Sequence, residues 1–246
     1  MRIALYPATG LAIIAAISLF AQPQEIPMSI GPRFQKETCY DSGGLVGTNV
    51  SYGARTPEFK DYRDRKTVKL PVVAAHGIAV EDAIQRRQSV RSYADKPLTE
   101  EQLTQLLIAA NGLTHTDARM THRSIPSAGG LNPLEIYAVV ADVTGLEPGL
   151  YHFNVLDTCL ELLKEGELSP VIQQAALGQE SVGEAALILV ISARFARTTQ
   201  KYADRGYRYI YMEVGSAMQN VYLQSASLGL GTVAVGAFND VAVNKL

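Results

Sequence analysis

Apolar and polar residues repeat with different periods along the chain, and the changes of period mark elements. Residues 80–87 read as a short helix. Thr99 then opens a Thr-x-x-Gln capping box, and behind it Leu103, Leu106, Leu107 and Ala110 fall at i, i+3, i+4 and i+7, one face of a helix. Asn111-Gly112 ends that helix. Residues 135–143 and 185–193 are apolar, β-branched runs of strand length. Residues 149–156 and 159–163 read as two more strands, joined through Asp157-Thr158 as a hairpin. Residues 206–228 place Tyr, Met, Val, Ala and Leu at helical spacing, and 231–238 reads as a final strand. Helices and strands interspersed with a hairpin predict an α+β fold rather than a doubly wound parallel sheet.

The amino-terminal part follows different rules. Arg2 precedes an almost wholly apolar run over residues 11–21, which ends on a small residue before Gln22-Pro23. This reads as a secretory signal peptide over 1–21, and hence as an exported protein. The run is shorter than the ~20 residues that cross a bilayer, so no stable membrane span is expected after cleavage; an uncleaved segment would leave the chain anchored. Cys39 is too far away to become a lipid-modified amino terminus. Residues 22–75 have several Pro and Gly and little periodicity, and read as an extended lead-in that wraps the domain formed by 76–246.

Composition narrows the chemistry. Of 246 residues, 47% are hydrophobic, enough for a substantial core. With 22 basic and 24 acidic residues the net charge is −2, without the basic excess that nucleic-acid binding requires. Cys39 and Cys159 alone support neither a zinc ribbon nor a disulfide scaffold. His76, His115, His122 and His152 include no i, i+4 pair, so no metal site is expected.

Four segments could carry chemistry. Arg86-Arg87-Gln88-Ser89-Val90-Arg91 sets three guanidiniums and a hydroxyl at a helix end, which suits a phosphate and equally suits a solvated basic helix terminus. The segment from Ser124 to Pro133 contains Gly129-Gly130, which lets backbone approach a flat ligand. In it Asn132 offers a donor and an acceptor, and the amides of Ser127 to Gly129 could point at carbonyl oxygens; a plain turn before a strand explains the composition as well. Lys201-Tyr202, among other cations and phenols, reads as a proton-handling pair or as a charged helix lead-in. Gly229-Leu230-Gly231 ends a helix and opens a strand, the wrong order for a dinucleotide fingerprint. Tyr207, Tyr209, Tyr211 and Tyr222 read as packing or interface residues, His115 and His122 as exposed loop residues, and Cys159 as core.

Taken in order, these segments resemble one family. Arg87-Gln88-Ser89-Val90-Arg91-Ser92-Tyr93, Pro126-Ser127-Ala128-Gly129-Gly130-Leu131-Asn132-Pro133, Gly149-Leu150-Tyr151-His152-Phe153, Lys201-Tyr202, Met212-Glu213-Val214-Gly215 with Gln219-Asn220, and Gly229-Leu230-Gly231-Thr232 through Gly236-Ala237-Phe238 are similar to the SagB-type, thiazoline/oxazoline-oxidase-like branch of the nitroreductase family. The resemblance implies an αβα sandwich around a mixed, largely antiparallel sheet, and a homodimer that binds FMN. It implies that Arg87, Gln88, Ser89 and Arg91 hold the phosphate and polar ring edge, that Pro126, Ser127, Ala128 and Asn132 line the ring, and that Ala234, Gly236 and Ala237 approach it through backbone. Lys201 and Tyr202 match the Lys-Tyr pair that serves as acid/base groups in the azoline-oxidising relatives. The implied activity is ping-pong two-electron (hydride) transfer from a small donor such as NAD(P)H to nitroaromatic or quinone-like acceptors. Two alternatives are azoline dehydrogenation in a modified peptide and a flavin-binding protein without turnover. Two departures from the family accompany these expectations: a domain shortened after 236–240, and Asn132 where tyrosine is common.

Overall fold

The computed structural model describes residues 30–41, 44–45, 56–60, 62, 64–74, 77–117 and 121–246. The expected signal peptide, parts of 22–75, and His76 lie outside the described residues. The chain divides into two units, residues 1–37 and 38–246. In the first, α1 (Ile30–Glu37) is a short helix with Arg33 and Glu37 paired one turn apart.

The second unit contains, in chain order, β1 (Tyr40–Asp41), β2 (Gly44–Leu45), β3 (Thr67–Lys69), α2 (Val80–Arg86), α3 (Glu100–Asn111), β4 (Leu113–Thr116) and β5 (Thr121–Arg123). There follow β6 (Leu134–Val140), β7 (Gly149–Asn154), β8 (Cys159–Glu165), α4 (Ser169–Ala175), α5 (Glu180–Gly183), β9 (Leu187–Ala193), α6 (Phe195–Tyr202), α7 (Arg205–Ser227) and α8 (Asp240–Val243).

Among the described residues, five strands pair in the order β3-β8-β7-β6-β9, each antiparallel to its neighbour. Among the described residues, the parallel pairing expected of a mixed sheet is found at one isolated bridge outside the five strands, between Leu98 and Val143. The interior strand β6 reads Leu-Glu-Ile-Tyr-Ala-Val-Val, nearly continuous in apolar residues because both of its faces are covered. On one face Ile136, Ala138, Val140, Phe153 and Leu160 pack against Leu103, Leu107 and Ala110 of α3. On the other, Val139 and Leu150 meet Leu168, Ile172, Ala176 and Val182 around α4 and α5. Each large side chain buried this way contributes about 1.5–3 kcal/mol, and the two covered faces make the αβα sandwich.

The local signals act as their chemistry requires. Thr99 Oγ1 accepts from the Gln102 amide at 3.2 Å while Gln102 Oε1 accepts from the Thr99 amide at 3.0 Å, the reciprocal capping box that starts α3. In the β7–β8 hairpin Asn154 Oδ1 accepts from the amides of Leu156 and Asp157, and Thr158 takes φ 48° to turn the chain.

Two local expectations change. Residues 231–238 form no strand: the Val90 amide donates to Thr232 O, the Ala234 amide to Tyr222 Oη, and Gln179 Nε2 to Ala237 O. Partners scattered over three elements cannot provide the regular alternation of a ladder. His115 and His122 are not in a loop but on β4 and β5, with their rings stacked 4.1 Å apart and His122 Nε2 2.9 Å from Asp117 Oδ2. The lead-in also supplies the edge strand β3, which pairs with β8.

Candidate active site

Helix α7 is the spine of the site. Its inner stripe, Ile210, Val214 and Ala217, packs on Ile125 and Leu134, and Glu213 lies in the same stripe, buried. Its outer side presents Met212, Gly215, Ser216 and Gln219, which with Ser124, Pro126 and Asn220 line an open cleft of about 570 Å³. Ligand pockets commonly measure ~300–1,000 Å³. Asn220 Nδ2 donates to Ala109 O and Ser124 O, each at 3.1 Å, and so fixes the start of the 126–132 loop against α7.

That loop is held on all sides. Gly129 and Gly130 have φ 64° and 65°, and Asn132 has φ 45°, a conformation that asparagine tolerates and that tyrosine adopts only at a cost. The Ala128 amide donates to Glu213 Oε1 at 2.9 Å, and the Asn132 amide to Ser127 Oγ at 2.9 Å. The Ala128 amide is therefore committed to Glu213 rather than open to a ligand carbonyl. The Asn132 side chain is buried, and its Nδ2 donates to Glu58 Oε1 and Gly130 O, both at 3.2 Å.

Helix α6 closes the same loop from its other side. A Cβ added to Gly129 would come 2.7 Å from Tyr202 Oη and 2.8 Å from Lys201 Nζ, so glycine alone allows both groups to approach the backbone there. One turn earlier on α6, Arg197 donates through Nη1 to Asn132 O at 2.9 Å and through Nε to Pro57 O at 2.7 Å, and pairs through Nη2 with Glu135 at 2.6 Å. Behind Glu135, His152 Nε2 lies 3.1 Å from Glu135 Oε2 and its Nδ1 lies 2.7 Å from Glu161 Oε2, all three side chains buried. Burial raises the Glu135 pKa, but the His152 hydrogen bond and the Arg197 charge outweigh it and hold the carboxyl below its ordinary range. Burial pushes the Glu213 carboxyl above its ordinary range, only partly offset by the Ala128 amide and the Ser127 hydroxyl.

A second cluster lies farther along α7. Tyr222 Oη is 3.0 Å from Ser89 Oγ and accepts from the Ala234 amide at 2.8 Å, and the Arg87 guanidinium stands 5.4 Å above the Tyr222 ring. The structure thus brings Arg87, Ser89 and Ala234 together, and separately Pro126, Ser127, Ala128, Asn132, Lys201 and Tyr202. Gln88 and Arg91 are exposed beside the first group. Gly236 is exposed, and Ala237 is tied to Gln179 rather than to either group. Sequence reading passed over Tyr222, Arg197 and Glu213 as site residues. Glu213 carried a usable signal, a charge within an apolar helical stripe; Arg197 carried none, because its partners are 62 or more residues distant in the chain.

A five-stranded antiparallel sheet between helix layers, with an open cleft along one long helix, defines the class as an α+β sandwich. Residues 84–246 match the nitroreductase family, about two thirds of the chain, and the protein belongs to that family, whose members are usually FMN enzymes. It is 42% identical over 183 residues to a protein of Methanocaldococcus jannaschii assigned by name to the nitroreductases, covering 74% of this chain and 90% of that one. It is similar to a solved structure of a protein from Ralstonia eutropha, also assigned to the nitroreductases, with a TM-score of 0.63, 26% identity, and coverage of 78% of this chain and 87% of that chain. A more distant similarity, 28% identity over 167 residues, links it to the microcin B17-processing protein of Escherichia coli, of which the chain spans 61%, with 65% of this chain covered.

Proposed function

We propose that this protein is an FMN-dependent oxidoreductase that takes two electrons from a small NAD(P)H-type donor and passes them to a nitroaromatic or quinone-like acceptor. The observation that carries this reading is that two groups are anchored along one helix, the 126–132 loop at Glu213 and the Arg87, Ser89 and Ala234 cluster at Tyr222. The residues present suit the cofactor. Among the described residues no carboxylate pairs with Arg87 or Arg91, leaving two guanidiniums for a phosphate, with Ser89 and Gln88 adding polar groups. Pro126, Ser127, Ala128 and Asn132 would line the ring, with Ala234 beside Arg87 and Ser89; Ala237, tied to Gln179, is not brought to it.

Bound FMN supplies the two-electron redox chemistry. The chain supplies orientation through the fixed loop, positive charge through Arg87 and Arg91, and a proton-carrying pair in Lys201 and Tyr202. The reading includes export through the segment at 11–21 and a homodimer; among the described residues, no helix is long and apolar enough to cross a membrane. The test is the visible spectrum of protein purified without added flavin, then reconstituted with FMN and titrated anaerobically with NADPH and dithionite. A flavin spectrum that bleaches and recovers with a nitroaromatic or a quinone supports the reading; failure to take up FMN overturns it. Arg87→Ala should purify without flavin, and a full flavin complement in that variant removes Arg87 from phosphate binding.

A second reading is dehydrogenation of azoline rings in a modified peptide. It is favoured by the approach of Lys201 Nζ and Tyr202 Oη to one backbone position, Gly129, and by the similarity to the microcin B17-processing protein. Incubation of FMN-loaded protein with an azoline-containing peptide and a quinone as final electron acceptor should remove a hydrogen pair per ring, two electrons passing through FMN to the quinone, read by mass spectrometry.

A further inference from the structure

We propose that Glu213, which lies outside the residues assigned to cofactor contact, is a positioning residue that fixes the 127–132 loop in its cofactor-facing conformation. The inference rests on the FMN reading above. Glu213 is 4% exposed and sits in the stripe of α7 otherwise formed by Ile210, Val214 and Ala217. Burying a carboxyl there is unfavourable compared with an apolar side chain, so it must do something an apolar side chain cannot. What it does is accept the Ala128 amide through Oε1 at 2.9 Å, while Oε2 is buried with no hydrogen-bond partner.

The loop needs such a hold. Three of its residues, Gly129, Gly130 and Asn132, have positive φ, and the 128–130 turn is closed by the Gly130 and Leu131 amides at 3.0 and 3.4 Å and by Asn132 Nδ2 on Gly130 O at 3.2 Å. Its far end is fixed by Arg197 on Asn132 O, and its middle bond runs from the Asn132 amide to Ser127 Oγ. Without Glu213 the near end, Ser127 and Ala128, would lose its direct bond to α7 and be held there only through Asn220 on Ser124 O, upstream of the loop. The cleft wall at Pro126 and the approach of Lys201 and Tyr202 at Gly129 both depend on that end staying in place.

The test compares Glu213→Met, which keeps the volume and removes the acceptor, with Glu213→Gln, which keeps a carbonyl oxygen for the Ala128 amide. Two readouts are used: hydrogen exchange of the 124–134 segment in flavin-free protein, and FMN affinity by fluorescence quenching. In E213M the Ala128 amide should exchange at least about tenfold faster and FMN should bind at least about tenfold more weakly, the scale of one lost hydrogen bond. E213Q should stay within about threefold of the natural protein in both, a rescue that a general packing role would not produce. E213M equal to the natural protein in either readout, or E213Q as impaired as E213M, overturns the inference. A natural protein that takes up no FMN overturns the functional reading and this inference with it, an outcome distinct from equal binding by both proteins.

Discussion

The polar patch beneath β6 and the junction of α7 with the 126–132 loop each bury one carboxylate, Glu135 at 5% and Glu213 at 4% exposure, and drive it in opposite directions. Burial raises both. At Glu135 the penalty is outweighed by the His152 hydrogen bond and by Arg197, and the carboxyl is held low. At Glu213 only an amide and a hydroxyl compensate, and the carboxyl is held high. Depth is the same, so compensation by charge decides the direction of the shift. Neither region is a random intrusion of polarity: the first fixes α6 and the end of the loop, the second fixes the loop's beginning.

The largest effect should come from removing the cation of the first region. Arg197→Ala leaves Glu135 without its ion pair and strips hydrogen bonds from Asn132 O and Pro57 O; urea unfolding should show a loss of about 3–5 kcal/mol. A loss below about 1 kcal/mol would mean that His152 alone compensates Glu135. The apolar face of the sheet provides the reference: Leu160→Ala, at a fully buried position, should lose about 2–5 kcal/mol through the cavity it leaves. The two losses should part with pH. The folded pKa of Glu135 lies below its unfolded value, so its contribution is present above the ordinary carboxylate range and is lost as pH falls through the folded value. The R197A deficit should therefore shrink in acid while the L160A deficit stays constant, and parallel deficits from pH 7 down to about 3 would refute the pairing.

What the sequence disclosed follows the range of the interactions. The α3 capping box and the β7–β8 hairpin are set by residues a few positions apart, and both could be read directly. So could the basic segment and the Gly129-Gly130 loop, as local chemistry. The segment 231–238 misled because its apolar alternation suits a strand, whereas its hydrogen bonds go to Val90, Tyr222 and Gln179, partners that local composition does not encode. By sequence Tyr222 reads like the other tyrosines of α7; what distinguishes it is a hydroxyl placed between Ser89 Oγ and the Ala234 amide. The polar patch of Glu135, His152 and Glu161 is likewise a product of strand register, which sets His152 opposite Glu161 across the β7–β8 ladder.

The smallest expected stability effect, and the sharpest use of the comparison, is at Glu213. Its folded pKa lies above the unfolded value, so between the two values the fold holds a proton that the unfolded chain has released. Stability arising from this group should fall as pH rises from the ordinary carboxylate range through the folded value, and level off above it, the reverse of Glu135. Glu213→Gln keeps an acceptor for the Ala128 amide and carries no titratable proton. Its unfolding free energy should stay within about 1 kcal/mol of the natural protein, and the declining limb should disappear from the pH profile. If E213Q instead retains that limb, the proton is held by another group and the contrast drawn between Glu135 and Glu213 fails.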